Sequence, residues 1–155
     1  MFKRPHHQRI AHVLNALQGD LLRAHACMFG GGTAMALKFG EYRESVDIDF
    51  LVSDIQKYRS LRQMLTGAEG LAPLFESKET TVKQLREVRA DQYGIRTLLT
   101  VDAQPIKFEI ILEARIELMH SKSEDDTCGV PTLTPLDMAA SKLLANSDRW
   151  NDDSV

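Results

Sequence analysis

The segment Gly30-Gly31-Gly32-Thr33 is followed, after a short interval, by Arg43-Glu44-Ser45-Val46-Asp47-Ile48-Asp49-Phe50. Glycine has no side chain to hold a ligand away, so the first segment can bring bare backbone N–H groups and the Thr33 hydroxyl against a phosphate chain. In the second, Val46, Ile48, Phe50 and Val52 alternate with Asp47 and Asp49. A strand here buries the four apolar side chains on one face and presents both aspartates on the other. Two carboxylates about 7 Å apart on one strand face suit Mg²⁺, which prefers oxygen ligands and reaches substrate phosphates through one or two carboxylates. Each half alone has a plainer reading: Thr33 as the N-cap of an ordinary helix, and Asp-x-Asp as the wet side of an amphipathic strand. Together, the order glycine turn, short helix, carboxylate strand puts a phosphate cradle beside metal ligands.

The stretch FGGGTAMALKFGEYRESVDIDFLVSD resembles the first motif of the AbiEii/AbiGii toxin family, within the nucleotidyltransferase superfamily of DNA polymerase beta-like fold. In that motif a Gly-Gly-Thr turn and helix lead to an Arg-x-Ser-x-Asp-x-Asp strand. The resemblance implies an α+β fold with a mixed or antiparallel sheet and helices packed on one side. It implies that Gly31, Gly32 and Thr33 contact a nucleoside triphosphate, that Ser45 joins them at the strand entrance with Arg43, and that Asp47 and Asp49 bind metal. A third carboxylate on a neighbouring strand completes such a site. The activity implied is transfer of a nucleoside monophosphate from an NTP to an acceptor hydroxyl with two Mg²⁺ ions. The acceptor is the 3′ end of tRNA or a protein, and the setting is the toxin of a bacterial toxin–antitoxin or phage-defence system, with an antitoxin as partner.

Around this motif the elements read as one α+β domain spanning 1–155. Ile10, Val13, Leu14, Leu17 and Leu21 keep helical spacing, so a helix is expected from residue 5 to about 18, with Pro5 in its first turn. A strand near 25–30 feeds the glycine turn. Ser53-Asp54-Ile55-Gln56 has the Ser-x-x-Gln form of a capping box, and Ile55, Tyr58, Leu61 and Leu65 make a buried stripe ending near Gly67. Residues 76–89 are strand-like and charged and are assigned to no element. Ile95–Val101 and Ile106–Ala114, separated by Asp102-Ala103-Gln104-Pro105, read as a β-hairpin. In its second run Ile106, Phe108, Ile110 and Leu112 share one face and Lys107, Glu109, Ile111 and Glu113 the other. Glu109 and Lys107 alone would be solvent-facing partners. The resemblance makes Glu109 the third carboxylate, with Glu113 as the fallback.

Thr134-Pro135-Leu136-Asp137 starts a last helix, with a cap, a first-turn proline and an acid three residues on. Its packing side is expected to be Leu136, Ala139, Ala140, Leu143 and Leu144. Lys142 lies off that stripe, and the resemblance gives it the role of neutralising nucleotide phosphates, with Arg149 assisting. A compact ammonium does so only if the helix faces the cleft.

Composition admits this chemistry without selecting it. The 155 residues are 43% hydrophobic and 26% charged, enough for one globular domain with a real core. No apolar run is long enough to span a membrane and no signal-peptide pattern opens the chain, so a cytoplasmic protein is expected. Net charge is −3 and aromatics are only 6%, which disfavours a broad RNA-binding surface. Cys27 and Cys128 read as reduced thiols. The five histidines carry no zinc spacing and read as structural or surface residues. Against the family pattern, no Arg-Asp-x-x-Asp-Leu segment follows Arg149; Asp152 or Asp153 would have to stand in, or the chain is short of the family's C-terminal part. That departure supports the alternative of a catalytically incomplete nucleotide-binding or regulatory module of the same fold.

Overall fold

The computed structural model describes residues 2–79, 81–120 and 122–153, the last four by backbone alone. Helix α1 (Pro5–Ala16) buries Ile10, Val13 and Leu14 on one stripe. It stops short of the expected end because Leu17 turns extended and bridges Phe75, while Gln18 Nε2 donates to the carbonyls of Pro73 and Phe75. Leu21 therefore belongs to a separate short helix, α2 (Gly19–Ala24).

Strand β1 (Met28–Gly30) runs directly into helix α3 (Gly31–Lys38), and strand β2 (Ile48–Val52) carries the acidic motif. Ile48, Phe50 and Val52 are wholly buried as the alternation requires, but Val46 lies ahead of the strand and is 51% exposed. Helix α4 (Ile55–Leu65) is capped by Asp54, whose Oδ1 accepts from the N–H groups of Gln56 and Lys57 at 2.9 and 3.0 Å. Ser53, the cap expected from the sequence, instead accepts from the Leu118 N–H. That shift turns Ile55 outward and leaves Tyr58, Leu61 and Leu65 as the buried stripe.

Residues 76–89 supply two-residue edge strands, β3 (Lys83–Gln84) and the start of β4 (Arg89–Ala90). Strands β5 (Gly94–Val101) and β6 (Gln104–Leu112) form the hairpin. Its turn is only Asp102-Ala103, with φ of 51° and 60°. Positive φ at both central residues matches the strand twist, so Gln104 and Pro105 join the ladder.

The sheet order is β1-β2-β6-β5-β3, with β4 also on β5. The β2–β6 pair is parallel and the other pairs are antiparallel. One face carries Ile48, Phe50, Ile95, Leu99, Phe108 and Ile110 into the core shared with α1 and α4. Phe29, Phe50 and Phe108 step across it with ring centroids 5.7 Å apart. The opposite face carries the acids.

Helix α5 (Pro135–Asp153) starts as expected, Thr134 Oγ1 accepting from the Asp137 N–H at 3.2 Å. Its packing side is not the expected one. Leu136 and Leu143 are each 70% exposed, whereas Met138 is buried. Asp137 is buried beside it, and its carboxylate accepts from the Met119 N–H at 2.7 Å. No helix among the described residues is long and apolar enough to cross a membrane.

Candidate functional site

The parallel register of β2 and β6 sets Asp49 directly beside Glu109, and Asp47 stands two residues upstream at the mouth of β2. Burial, then the charges of Glu109 and Asp47, push the Asp49 carboxyl up to about 6, with Lys107 opposing. Glu109 faces two cations: Lys107 Nζ at 3.1 Å and Arg96 Nε at 3.7 Å. Among the described residues no three His, Cys, Asp or Glu side chains converge in a geometry that could hold a metal ion. Glu113 lies beyond the paired part of β6 and is committed to Arg115, whose Nη2 donates to it at 2.7 Å.

The glycine turn meets these acids at close quarters. Gly31 has φ +73°, and a Cβ there would stand 2.9 Å from Asp49 Oδ2. A Cβ on Gly32 would run into the Arg43 guanidinium. Gly31 is thus favoured both by its left-handed backbone and by the closeness of Asp49, while a side chain at 32 would push the Arg43 guanidinium aside. Thr33 is buried in the first turn of α3, with Gly30 in the cap position, so the plain N-cap reading does not apply. Ser45 is buried, and its Oγ, which has no hydrogen-bond partner among the described residues, lies 4.0 Å from where a Gly32 Cβ would be. Gly31→Ala is expected to cost about 1–2 kcal/mol from the left-handed backbone alone and to displace the Asp49 carboxylate. A urea melt checks the first effect and NMR titration of the Asp49 carboxyl the second.

A cleft of about 350 Å³ opens between α3 and α5. Gly31, Gly32, Arg43, Lys142 and Arg149 line it, and so does the half-exposed ring of Tyr42. The rotation of α5 that exposes Leu136 and Leu143 is what brings Lys142 and Arg149 to the glycine turn. The three acids, Thr33 and Ser45 are not in this lining; Gly31 is the junction, belonging to the cleft and touching Asp49. The side chains of Asp152 and Asp153 lie outside the described set.

The loop that delivers Arg43, Ser45 and Asp47 is held by residues that the sequence pattern did not single out. His7 is fully buried and bridges Glu41 Oε1, at 2.9 Å from Nδ1, and the Ser45 N–H, at 3.0 Å from Nε2. His6 Nε2 donates to the Val46 carbonyl at 3.1 Å. The only trace of this in the sequence is the His6-His7 pair behind Pro5, in the first turn of an amphipathic helix.

A mixed sheet that brings a glycine turn, an Asp-x-Asp strand and a third acid together, with helices around it, is a nucleotidyltransferase-like α+β fold of the polymerase beta-like superfamily. The chain belongs to the family described as nucleotidyl transferase AbiEii toxin, type IV TA system, whose model matches residues 14–155. The crystal structure of JHP933 from Helicobacter pylori is similar in fold, with a TM-score of 0.50 and 13% identity over 92% of this chain and 58% of that one. A second crystal structure, described as a "putative nucleotidyltransferase from H. pylori", gives a TM-score of 0.49 and 16% identity over 88% of this chain and 56% of that one. The chain thus spans little more than half the length of these two proteins. No curated protein sequence matches it.

Proposed function

We propose that this chain is the catalytic part of a metal-dependent nucleotidyltransferase that moves a nucleoside monophosphate from an NTP to an acceptor hydroxyl. It would act in the bacterial cytoplasm as the toxin of a toxin–antitoxin or phage-defence system, with an antitoxin as its partner. One observation carries the reading: the backbone of Gly31, at the mouth of a cationic cleft, lies against the Asp49 carboxylate. That juxtaposition joins a place for phosphates to a place for a hard cation.

The donor set fits Mg²⁺ in its chemistry. Asp49 is held up by burial and by the neighbouring Glu109 and Asp47 charges, a repulsion that a divalent cation relieves. Asp47 and Asp49, completed by Glu109, would hold the two ions, which supply charge neutralisation at the triphosphate and activation of the acceptor hydroxyl. Lys142 and Arg149 would draw the triphosphate to the glycine turn, Gly32 and Thr33 would donate backbone N–H groups to it, and the free Ser45 hydroxyl would bind an oxygen. The chemistry is mostly positioning and electrostatics, so a shallow cationic cleft beside an acid cluster suffices.

For the acceptor, the sheet offers a specific pointer. In-line displacement puts the acceptor across from the leaving pyrophosphate, hence on the β6–β5 side of the acids. There the cross-strand row continues Glu109, Arg96, Arg89, with Lys107 alongside. This run of cations favours a polyanionic acceptor, the tRNA 3′ end, over a protein hydroxyl. The test is to incubate the chain with each labelled NTP, Mg²⁺ and total bacterial tRNA. Label is expected on RNA, and Lys142→Ala is expected to raise the KM for NTP about tenfold, the effect of one charged contact. Label on protein would move the acceptor to the other class. No label on either would favour the catalytically incomplete module.

A further inference from the structure

We infer that His7 is a positioning residue for the transfer site: its neutral imidazole, anchored on Glu41, takes the Ser45 N–H and so fixes the loop that carries Arg43, Ser45 and Asp47. The inference rests on the transfer reading for its consequence in catalysis, but not for its geometry. A backbone N–H can only donate, so Nε2 of His7 must be the unprotonated nitrogen. The ring proton then sits on Nδ1 and is donated to the Glu41 carboxylate. Both ring nitrogens are engaged, the side chain is wholly buried, and no other orientation satisfies both partners.

Glu41 is itself immobilised. Its carboxylate accepts from the backbone N–H groups of Lys3 and Arg4 at 2.8 and 3.0 Å, and its carbonyl accepts from Arg4 Nε and Nη2 at 3.3 and 3.2 Å. Its own N–H donates to the Ala36 carbonyl at 2.7 Å, which ties it to the end of α3. The anchor therefore spans the start of α1 and the tail of the helix whose first residues form the phosphate turn. From there His7 reaches Ser45, and His6 holds the Val46 carbonyl. The two imidazoles grip both ends of the Ser45-Val46 dipeptide, and the next residue is Asp47. A shift of this dipeptide would move Asp47 relative to Asp49 and withdraw the Ser45 hydroxyl and the Arg43 guanidinium from Gly32. Misplacement of about 1 Å is enough to cost a rate on the order of 100-fold.

Two substitutions separate this role from simple packing. In His7→Gln the side-chain oxygen can reach the place of Nε2 and accept from the Ser45 N–H. In His7→Asn the amide nitrogen replaces Nδ1 and keeps Glu41, but nothing reaches Ser45. Three readouts are taken: the His7 tautomer in the wild type from ¹⁵N NMR of the imidazole, hydrogen exchange at the Ser45 amide, and kcat and KM with labelled NTP. The expected results are an Nδ1–H tautomer, Ser45 protection kept in His7→Gln and lost in His7→Asn, and kcat about tenfold or more lower in His7→Asn than in His7→Gln, the worth of one lost hydrogen bond, with melting temperatures lowered alike. An Nε2–H or doubly protonated ring overturns the inference, and this readout needs no variant to fold. Equal kcat losses in the two variants, tracking their melting temperatures, overturn it as well. If the wild type transfers nothing, the transfer reading falls, while the tautomer and the Ser45 exchange still decide whether the clamp exists.

Discussion

Asp47→Asn is expected to leave the fold of the chain intact, with a melting temperature no lower than that of the wild type, and to slow nucleotide transfer at least about 10³-fold, the loss that follows removal of one charge-stabilising group from a reacting centre. Asparagine matches the shape of aspartate, so the variant subtracts the negative charge and little else. Asp47 precedes β2 and is half-buried, and no hydrogen bond reaches its carboxylate among the described residues. Nothing structural therefore depends on that charge. Its role is electrostatic: it adds to the field on Asp49 and Lys107. Circular dichroism with thermal melting checks the first half of the expectation, and incorporation of label from NTP checks the second. A variant that transfers at the wild-type rate would place the chemistry elsewhere, and the pairing of glycine turn with acid strand would then be scaffold.

The parts of this site that could be read from the sequence are those governed by local periodicity. Alternation over Ile48–Val52 puts Asp49 opposite the core because a strand has a period of two, and the strand obeys it. Gly31 and Gly32 are readable because a glycine run marks close backbone approach, and here one glycine adjoins an aspartate and the other a guanidinium. What the sequence does not carry is the relation between elements far apart in the chain. That Glu109 rather than Glu113 flanks Asp49 follows from the parallel register of β2 on β6, which no local pattern encodes. Lys142 is similar: the apolar residues of α5 suggest that it points away from the packing side, but the helix buries Asp137 and Met138 instead, the first bonded to the Met119 backbone. That orientation leaves Leu136 and Leu143 in solvent and puts Lys142 and Arg149 on the Met138 side, along the cleft. His7 is the extreme case. Its partners lie 34 and 38 residues away on a loop, and a buried histidine on a helix looks the same in sequence whether it fills space or directs a backbone.

Asp49→Asn is expected to stabilise the fold at neutral pH. Asp49 ionises near 6 in the folded chain and at an ordinary 3.8 when unfolded. Between these values the folded state binds more protons than the unfolded state, so stability falls as pH rises through the window and the full penalty stands above it. A gap of about two pH units corresponds to on the order of 3 kcal/mol. Without divalent cations, Asp49→Asn should therefore melt roughly 6–12 °C above the wild type at pH 7 to 8, given about 2–4 °C per kcal/mol for a chain of this size. The advantage should shrink as pH falls from 6 and disappear near 4, where the wild-type carboxyl is also neutral. Adding Mg²⁺ at pH 7.5 should close the difference from the wild-type side, because a cation that binds only the folded acid cluster raises its stability by mass action. Melting curves of the two proteins at pH 4, 6 and 7.5, with and without Mg²⁺, measure all of this. A variant no more stable than the wild type at pH 7.5 would mean that neither burial nor the neighbouring Glu109 and Asp47 charges penalise the Asp49 carboxylate in the folded chain, and the electrostatic reason for placing a cation there would be gone.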